Sequence, residues 1–530
     1  MNRRQAMLVL FLTIVLGVGL RSYHLTARSL WFDEAFSWRL IQFPFAEMIA
    51  RDAADVHPPL FYVLLKGWSV VFGTSLKAMR LFSVTAAAGS IAAIYLFTSS
   101  AWTLARHKES LARARAIGLT AALFLTLSGW QIAFAWEARM YTLGTLFVLL
   151  SSWLLLKAIR QKKQQPGLWL AYGLLAAAGI YTHYYVLFSL AAQVLFIIAV
   201  LLIQTRGRLG EFIQSRLAWY AALSGLVIAL AFAPWLPTFL RQNSQVQAQF
   251  WIPAINRWSV PATLYRLVLP TVEAPPHSGV KLIGTTALLT VVILAGIWLV
   301  PGARTDSKIS FLKKAASSLD AAWLTLLMAV IPFIASISLS LIGQSLYQDR
   351  YFVFAQPFLL VAVAVCIFRL RPTWLRRLLI TLVSLLLASG FFIYWRQLNI
   401  LAKPGSHAAT AYAFTHRTAD EPVYSSSSFV FFSVAHYAQE EFKNTTVPKL
   451  YSQTGELLHF AGGPILKTED IIGSQVFTNP ATKSFWLIET TGFGSSELKV
   501  PDTFIRTDHQ VFPELYGYQG DVIANHYQRR

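Results

Sequence analysis

Charge is what this 530-residue chain most lacks. Only 13% of its residues are Asp, Glu, Lys or Arg, about half the share of a soluble domain. With 55% hydrophobic residues and a mean hydropathy of +0.50, that deficit excludes an ordinary soluble enzyme and points to a polytopic membrane protein. Cysteine is nearly absent. The single Cys366 excludes an internal disulfide and a cysteine-based metal site. No Gly-rich phosphate loop, internal repeat or low-complexity tract is present; Gly17 and Gly19 sit inside an apolar run. Acids are scarcer than bases, 25 against 45. In a soluble protein that imbalance would suggest nucleic acid. In a membrane chain a basic excess records topology instead, so no nucleic-acid partner is expected.

What is present is a series of apolar runs. A spanning helix needs about 20 mostly apolar residues. Eleven candidates lie near 6–21, 77–104, 117–135, 140–157, 168–182, 184–203, 217–236, 281–300, 321–342, 351–368 and 378–396. The first follows a short basic start and reads as an uncleaved span, because no small-x-small cleavage site follows it. Alternate connections are basic. They hold Arg106, Lys108, Arg113 and Arg115; Lys157, Arg160, Lys162 and Lys163; Arg206, Arg208 and Arg216; Arg304, Lys308, Lys313 and Lys314; and Arg369, Arg371, Arg376 and Arg377. The positive-inside rule makes these cytoplasmic and places the C-terminus outside.

The outer connections are aromatic and Pro-rich. The first, 22–76, holds two amphipathic pieces near 34–52 and 58–72. The second piece follows Pro58 and Pro59 and reads as a helix lying at the interface. Another, 237–280, carries Pro237, Pro253, Pro261, Pro270, Pro275 and Pro276 with Phe250, Trp251, Trp258 and Tyr265; a loop that long is usually functional or disordered, and its aromatics argue against disorder. Beyond 396 the chain turns polar. DEPVYSSSSFVFFSVAHYAQEEF reads as strand, loop and helix, and SFWLIETTG as a further strand. The predicted architecture is an all-α polytopic membrane domain over 1–396, with about eleven transmembrane helices. An extracytoplasmic α/β domain follows over 397–530.

Five short stretches carry chemistry, and all fall on the outer side. SLWFDEAFSW puts Asp33 and Glu34 side by side. On a helix they point about 100° apart, so only one can face a given cavity. The pair is either a solvated helix start or holds a general base. WEARMYTL places Glu137 and Arg139 where the topology needs a turn; they form an exposed ion pair there or a functional pair at membrane depth. Glu137 and Tyr141 are four apart and would share a helix face. DVHPPLFY holds Asp55 and His57. YTHYY sets His183 among tyrosines, as an interfacial residue or a ligand. YQDRYFVF places Asp349 and Arg350 at the start of a span. There Arg350 anchors at headgroup level or grips a phosphate. Interfacial residues of no special role would fall on both sides, so this sidedness points to an outward-facing active site.

RSLWFDEAFSW, DVHPPLFYVLLKGW, WEARMYTL, YTHYY and DRYFVFAQP together resemble the bacterial polytopic glycosyltransferases of the GT-C fold. That group includes protein O-mannosyltransferase-like and lipid A aminoarabinose transferase-like enzymes. The resemblance covers about 1–400. It implies a polyprenyl-phosphate sugar donor, interface helices in the first outer loop and inversion at the anomeric carbon. Carried over, it makes Asp33 the base, with Glu34 beside it and Glu137 as the second acidic position. Arg139, Arg350, His57 and His183 become donor-phosphate ligands, and Tyr141, Tyr184 and Tyr351 line the substrate cavity. A divalent metal stays open, with Asp55, His57, Glu137 and His183 as candidate ligands, because Glu-Ala-Arg departs from the Asp-x-Asp of metal-dependent relatives. The expected place is the inner (plasma) membrane and the acceptor a glycan, lipid or protein. The alternative is a multi-span lipid or solute transporter or flippase. Such proteins often carry repeats and broken helices at the midplane. A membrane anchor for 397–530 is a third reading, and it leaves the acids of the first loop unexplained.

Overall fold

A computed structural model describes the chain except for residues 103–107, 162, 249–250, 272–307, 371, 444–446, 453–456 and 496–497, and for the side chains of 108–110 and 308–320. Two compact units emerge. Unit 1 comprises Met1–Tyr23, Ser83–Trp136 and Met140–Tyr394; unit 2 comprises His24–Phe82, Glu137–Arg139 and Trp395–Arg530. Residues 24–82 therefore fold with the C-terminal region. In chain order the first helices are α1 (Arg3–Ser22), α2 (Phe32–Gln42), α3 (Phe45–Ala54), α4 (Leu60–Phe72), α5 (Leu76–Ala101), α6 (Lys108–Leu127), α7 (Gly129–Ala135) and α8 (Tyr141–Ile159). Then come α9 (Pro166–Thr182), α10 (Val186–Gln204), α11 (Leu209–Gln214), α12 (Arg216–Phe232), α13 (Leu236–Ala248), α14 (Ser259–Val268), α15 (Lys308–Ile342), α16 (Gln356–Arg369) and α17 (Thr373–Leu398).

Among the described residues seven helical stretches are long and apolar enough to cross a membrane, or eight if the bent pair α6–α7 is one span. The chain is a multi-pass membrane protein. Of the eleven expected spans, the fifth is the 17-residue α9. The tenth is shortened, since Asp349–Phe354 forms a 3₁₀ turn before the 14-residue α16. The eighth, 281–300, lies outside the described residues.

Unit 1 is helices packed on one apolar core that includes Phe97, Phe124, Phe196, Phe352 and Phe358. Its sharpest feature is the 60° bend between Leu111–Leu127 and Gly129–Ala135. A break strips helix carbonyls of their partners, and in an apolar setting they must find others. Buried Arg21 of α1 supplies them, donating to Thr126 O at 3.1 Å and Leu125 O at 3.0 Å. Gly129 is required at the bend because a Cβ there would come within 2.9 Å of the Phe391 backbone. Ser128, Gln131 and Gln356 complete a buried hydrogen-bonded set.

In unit 2 the amphipathic piece near 34–52 is two helices. Pro44 disfavours helical geometry at Phe43, which is extended (φ −71°, ψ 152°), so α2 stops and α3 starts anew. The open carboxyl end of α2 is met by Lys66 of α4, which donates to Ile41 O and Phe43 O at 2.7 and 2.8 Å. As expected, α4 begins after Pro58 and Pro59; it exposes Leu64, Val70, Val71 and Phe72.

The rest of unit 2 is a sheet with helices: α18 (Gly405–His416), β1 (Val423–Ser425), α19 (Ser428–Glu440), β2 (Lys449–Tyr451), β3 (Ile471–Ile472), α20 (Gln475–Thr478), β4 (Ser484–Thr490), β5 (Phe504–Pro513) and β6 (Asp521–Arg529). The strand order is β3-β2-β1-β4-β6-β5. The first four are parallel, and β6 runs antiparallel to β4 and β5. Ala409 and Ala413 of α18 and Val430 and Val434 of α19 bury one face of the sheet against Trp486, Ile488, Val522 and Ala524.

Candidate active site

The adjacent acids of α2 meet opposite fates. Glu34 is fully buried and takes a two-pronged ion pair from Arg80, Nε to Oε1 at 2.8 Å and Nη2 to Oε2 at 2.7 Å. Its Oε1 also accepts the Ala138 N–H at 2.9 Å. Burial pushes the Glu34 carboxyl up, but the charge and hydrogen bonds of Arg80, the charge of Arg28 and the Ala138 amide outweigh it, so it is held below the usual range and ionised. The remaining Arg80 hydrogens go to Leu25 O, Arg28 O and Ser29 O. One guanidinium thus ties the chain before α2 to its first turn.

Asp33 is different. Its side chain is 25% exposed, and its Oδ2 lies 4.0 Å from Nε of buried Arg139. Arg139 is anchored by donating to Asp33 O, Ser37 Oγ and Tyr62 Oη at 3.1–3.3 Å. Its Nη2 lies 3.2 Å from His57 Nε2, and His57 Nδ1 lies 2.7 Å from Asp55 Oδ2. A guanidinium only donates, so Nε2 of His57 accepts and Nδ1 carries the proton given to Asp55. Asp55, His57 and Arg139 therefore form a directed hydrogen-bonded chain, which meets Asp33 at its backbone carbonyl and, at 4.0 Å, as an ion pair with its carboxylate. Behind it lies Asp52, fully buried and pushed well above the carboxylate range by burial and then by the Asp55 charge, with Arg139 opposing. Tyr62 is likewise pushed up by burial and stays a hydroxyl.

Glu137 is buried in the turn between α7 and α8. It lies outside the helix that Tyr141 opens, so the two do not share a helix face. From the C-terminal region His459 comes close enough to Asp55 for its charge to act on it; burial lowers the His459 pKa, and Asp55 opposes.

The other expected residues are in unit 1. Buried His183 follows α9, and its Nδ1 accepts the Tyr185 N–H at 3.1 Å. Rings of Tyr141, Tyr185, Tyr351 and Phe354 surround it at 5.0–5.9 Å. Tyr184 faces away from that cluster, to Gln242 at 2.5 Å and Trp235 at 2.7 Å. Arg350 lies over the Trp251 ring at 5.5 Å, while Asp349 pairs with Arg266 and accepts from Thr263. The structure thus joins Asp33, Glu34, Asp55, His57, Glu137 and Arg139 in unit 2, and His183, Tyr141 and Tyr351 in unit 1.

A divalent metal does not fit the set left open for it. No group of three or more His, Cys, Asp or Glu is arranged to hold one among the described residues. The pair Asp55 and His57 is bonded to itself, and the other ring nitrogen faces a cation. Sequence reasoning missed Arg80, Asp52, Tyr62 and His459. For Arg80 a signal existed: an Arg inside an apolar run is costly and by default purposeful.

Residues 56–236 match the family model described as dolichyl-phosphate-mannose-protein mannosyltransferase. No curated protein matches the chain in sequence. In structure it is similar to ArnT from Cupriavidus metallidurans, solved bound to undecaprenyl phosphate. The TM-score is 0.57 at 14% identity, over 97% of both chains. The apo form of that protein also gives 0.57, at 12% identity over 97% of both chains. More distant is the archaeal oligosaccharyltransferase AglB from Archaeoglobus fulgidus, solved with an inhibitory peptide and a dolichol-phosphate. Its TM-score is 0.47 at 11% identity, over 84% of this chain and 64% of AglB. The fold is GT-C, as in ArnT, and residues 56–236 are similar to the dolichyl-phosphate-mannose-protein mannosyltransferase family.

Proposed function

We propose that the protein transfers a sugar from a polyprenyl-phosphate donor to an acceptor hydroxyl at the outer face of the inner (plasma) membrane, with inversion at C1 and Asp33 as general base. The observation that carries this reading is the contrast at 33–34. Glu34 is spent on Arg80, whereas the partly exposed Asp33 carboxylate stands beside a buried guanidinium. The donor's isoprenoid tail lies in the bilayer and its phosphosugar head enters from the outer side. Asp33 takes the acceptor hydroxyl proton as that oxygen attacks C1. The bond from C1 to the phosphate oxygen breaks with its electron pair, leaving polyprenyl phosphate. The positive charge of Arg139, with His57 at its side, is set to stabilise that leaving group. Glu137 neighbours Arg139 as a second acid, and Glu34 acts by holding the turn. The similar ArnT was solved with an undecaprenyl phosphate, which supports a lipid-phosphate donor. The C-terminal region lies outside the membrane in this reading.

The test uses the full-length protein in lipid nanodiscs with a panel of polyprenyl-phosphate sugars and envelope extract as acceptor, following release of polyprenyl phosphate. Asp33→Asn is expected to lower turnover about 10²–10⁴-fold with normal folding and insertion. Turnover at the wild-type rate overturns the assignment.

A further inference from the structure

The C-terminal region has a corner that sheets of its type usually leave open. From β1 the chain crosses to β2 on one side, while β4 adjoins β1 on the other. In open parallel sheets, ligands bind outside the carboxyl ends of the strands at such a reversal. Here that place lies where β1 ends at Ser425, paired with Ile488, and β4 runs on to Thr490. Ser427 caps α19 there, accepting the Phe429 N–H at 3.3 Å and donating to Gly494 O at 2.6 Å.

Aromatic rings occupy the corner. Phe429 packs on Phe493 with centroids 5.0 Å apart. Phe32 packs on Phe429 at 4.5 Å and on Phe432 at 6.2 Å. Two glycines with positive φ let the backbone come this close. A Cβ at Gly494 (φ +80°) would reach Phe429 at 2.0 Å, and one at Gly462 (φ +87°) would reach Phe432 at 2.5 Å. Phe32 is the first residue of α2 and the neighbour of Asp33.

The rest of one face of α19 continues the grip. Ser433 Oγ donates to Leu30 O at 3.0 Å, and Tyr437 Oη accepts the Leu30 N–H at 2.6 Å. Glu440 accepts from Trp38 Nε1 at 3.3 Å and from Thr74 at 2.5 Å. Residues 429, 433, 437 and 440 recur at helical spacing, while Val430 and Val434 face the sheet. The start of α2 needs this support, since its N-cap Trp31 makes no side-chain capping bond.

We propose that residues 397–530 are a positioning domain for Asp33: the ligand corner of the sheet holds the protein's own Phe32, and Phe429 and Tyr437 are positioning residues that fix the first turn of α2. This rests on the reading of Asp33 as the base. Displacement of the turn would misplace the carboxylate without removing any donor contact.

The experiment compares Tyr437→Phe and Phe429→Leu with Asp33→Asn in the full-length protein. It measures kcat, KM for the lipid donor, melting temperature and amide hydrogen exchange over 29–34. Each of the first two is expected to lower kcat about tenfold, with KM within about twofold, faster exchange at Leu30 and near-normal melting. Wild-type kcat in both, while Asp33→Asn is inactive, overturns the positioning role alone. A rise in KM at unchanged kcat also overturns it. Activity in Asp33→Asn defeats the assignment of the base instead, and is read independently of the other two variants.

Discussion

The two units use buried charge in different ways. In unit 1, Arg21 ends on neutral carbonyls at a helix break, His183 is ringed by aromatics and Arg350 lies over Trp251. Asp349 with Arg266, at the foot of α16, departs from that pattern. In unit 2, Lys66 likewise ends on carbonyls, but around α2 charges meet charges or titratable groups: Glu34 on Arg80, Asp55 on His57, Arg139 beside Asp33. A cation on backbone dipoles mends the scaffold and leaves nothing to titrate. Charges set against one another make an environment where a proton can be placed. The proposed base, Asp33, lies among charges of the second kind.

Substitutions sharpen the contrast, the strongest first. Glu34→Ala leaves Arg80 as a buried unpaired cation and is expected to destabilise the protein by about 3–5 kcal/mol, seen as a large fall in melting temperature. Asp33→Asn should leave melting nearly unchanged. If both variants melt alike, the two acids are not divided as described. Arg21→Met should cost up to about 3 kcal/mol, because Leu125 O and Thr126 O lose their donor. That loss should be independent of pH between 5 and 8, unlike effects in unit 2.

His436 supplies the pH-dependent case. It is buried in unit 2 with neither ring nitrogen hydrogen-bonded, and burial, then the charge of Arg80, lowers its pKa from 6.5 to about 3, with Glu34 opposing. Above pH 6.5 the ring is neutral folded and unfolded, and stability does not depend on it. As pH falls below 6.5 only the unfolded chain takes up the proton, so stability drops, by about 2 kcal/mol at pH 5. His436→Leu should flatten that part of the curve in unfolding measured from pH 7.5 to 5. An unchanged slope would show that the ring is not held neutral. The smallest effect belongs to Arg350→Ala, about 0.5–1 kcal/mol from its stacking on Trp251. A large loss of donor binding in that variant would assign Arg350 to the phosphate instead.

Much of this was legible where local patterns suffice. The apolar runs marked most spans, Pro58 and Pro59 marked α4, and SFWLIETTG marked β4. The acidic pair was visible as an oddity, and the helical offset forecast that its members would part. Which of them faces solvent was not visible, because that depends on Arg80, 46 residues beyond Glu34. The break at Pro44 was readable and was passed over in favour of a longer amphipathic pattern. The grip of α19 on α2 joins residues some four hundred positions apart, such as Leu30 and Tyr437. No spacing rule spans that distance.

The short turn between α7 and α8 has a consequence of a different kind. Connections between helices are ordinarily where a chain tolerates added or lost residues. Here every residue from Trp136 to Met140 is buried, and Glu137–Arg139 folds with unit 2 although both flanking helices belong to unit 1. The Ala138 amide and the Arg139 guanidinium are each committed to a partner on or near α2. The segment therefore has a fixed length. A tag, graft or single-residue deletion at this point would change which amide reaches Glu34 and which side chain reaches Asp33. Protein engineers seeking a permissive insertion site in this chain should look to the other turns.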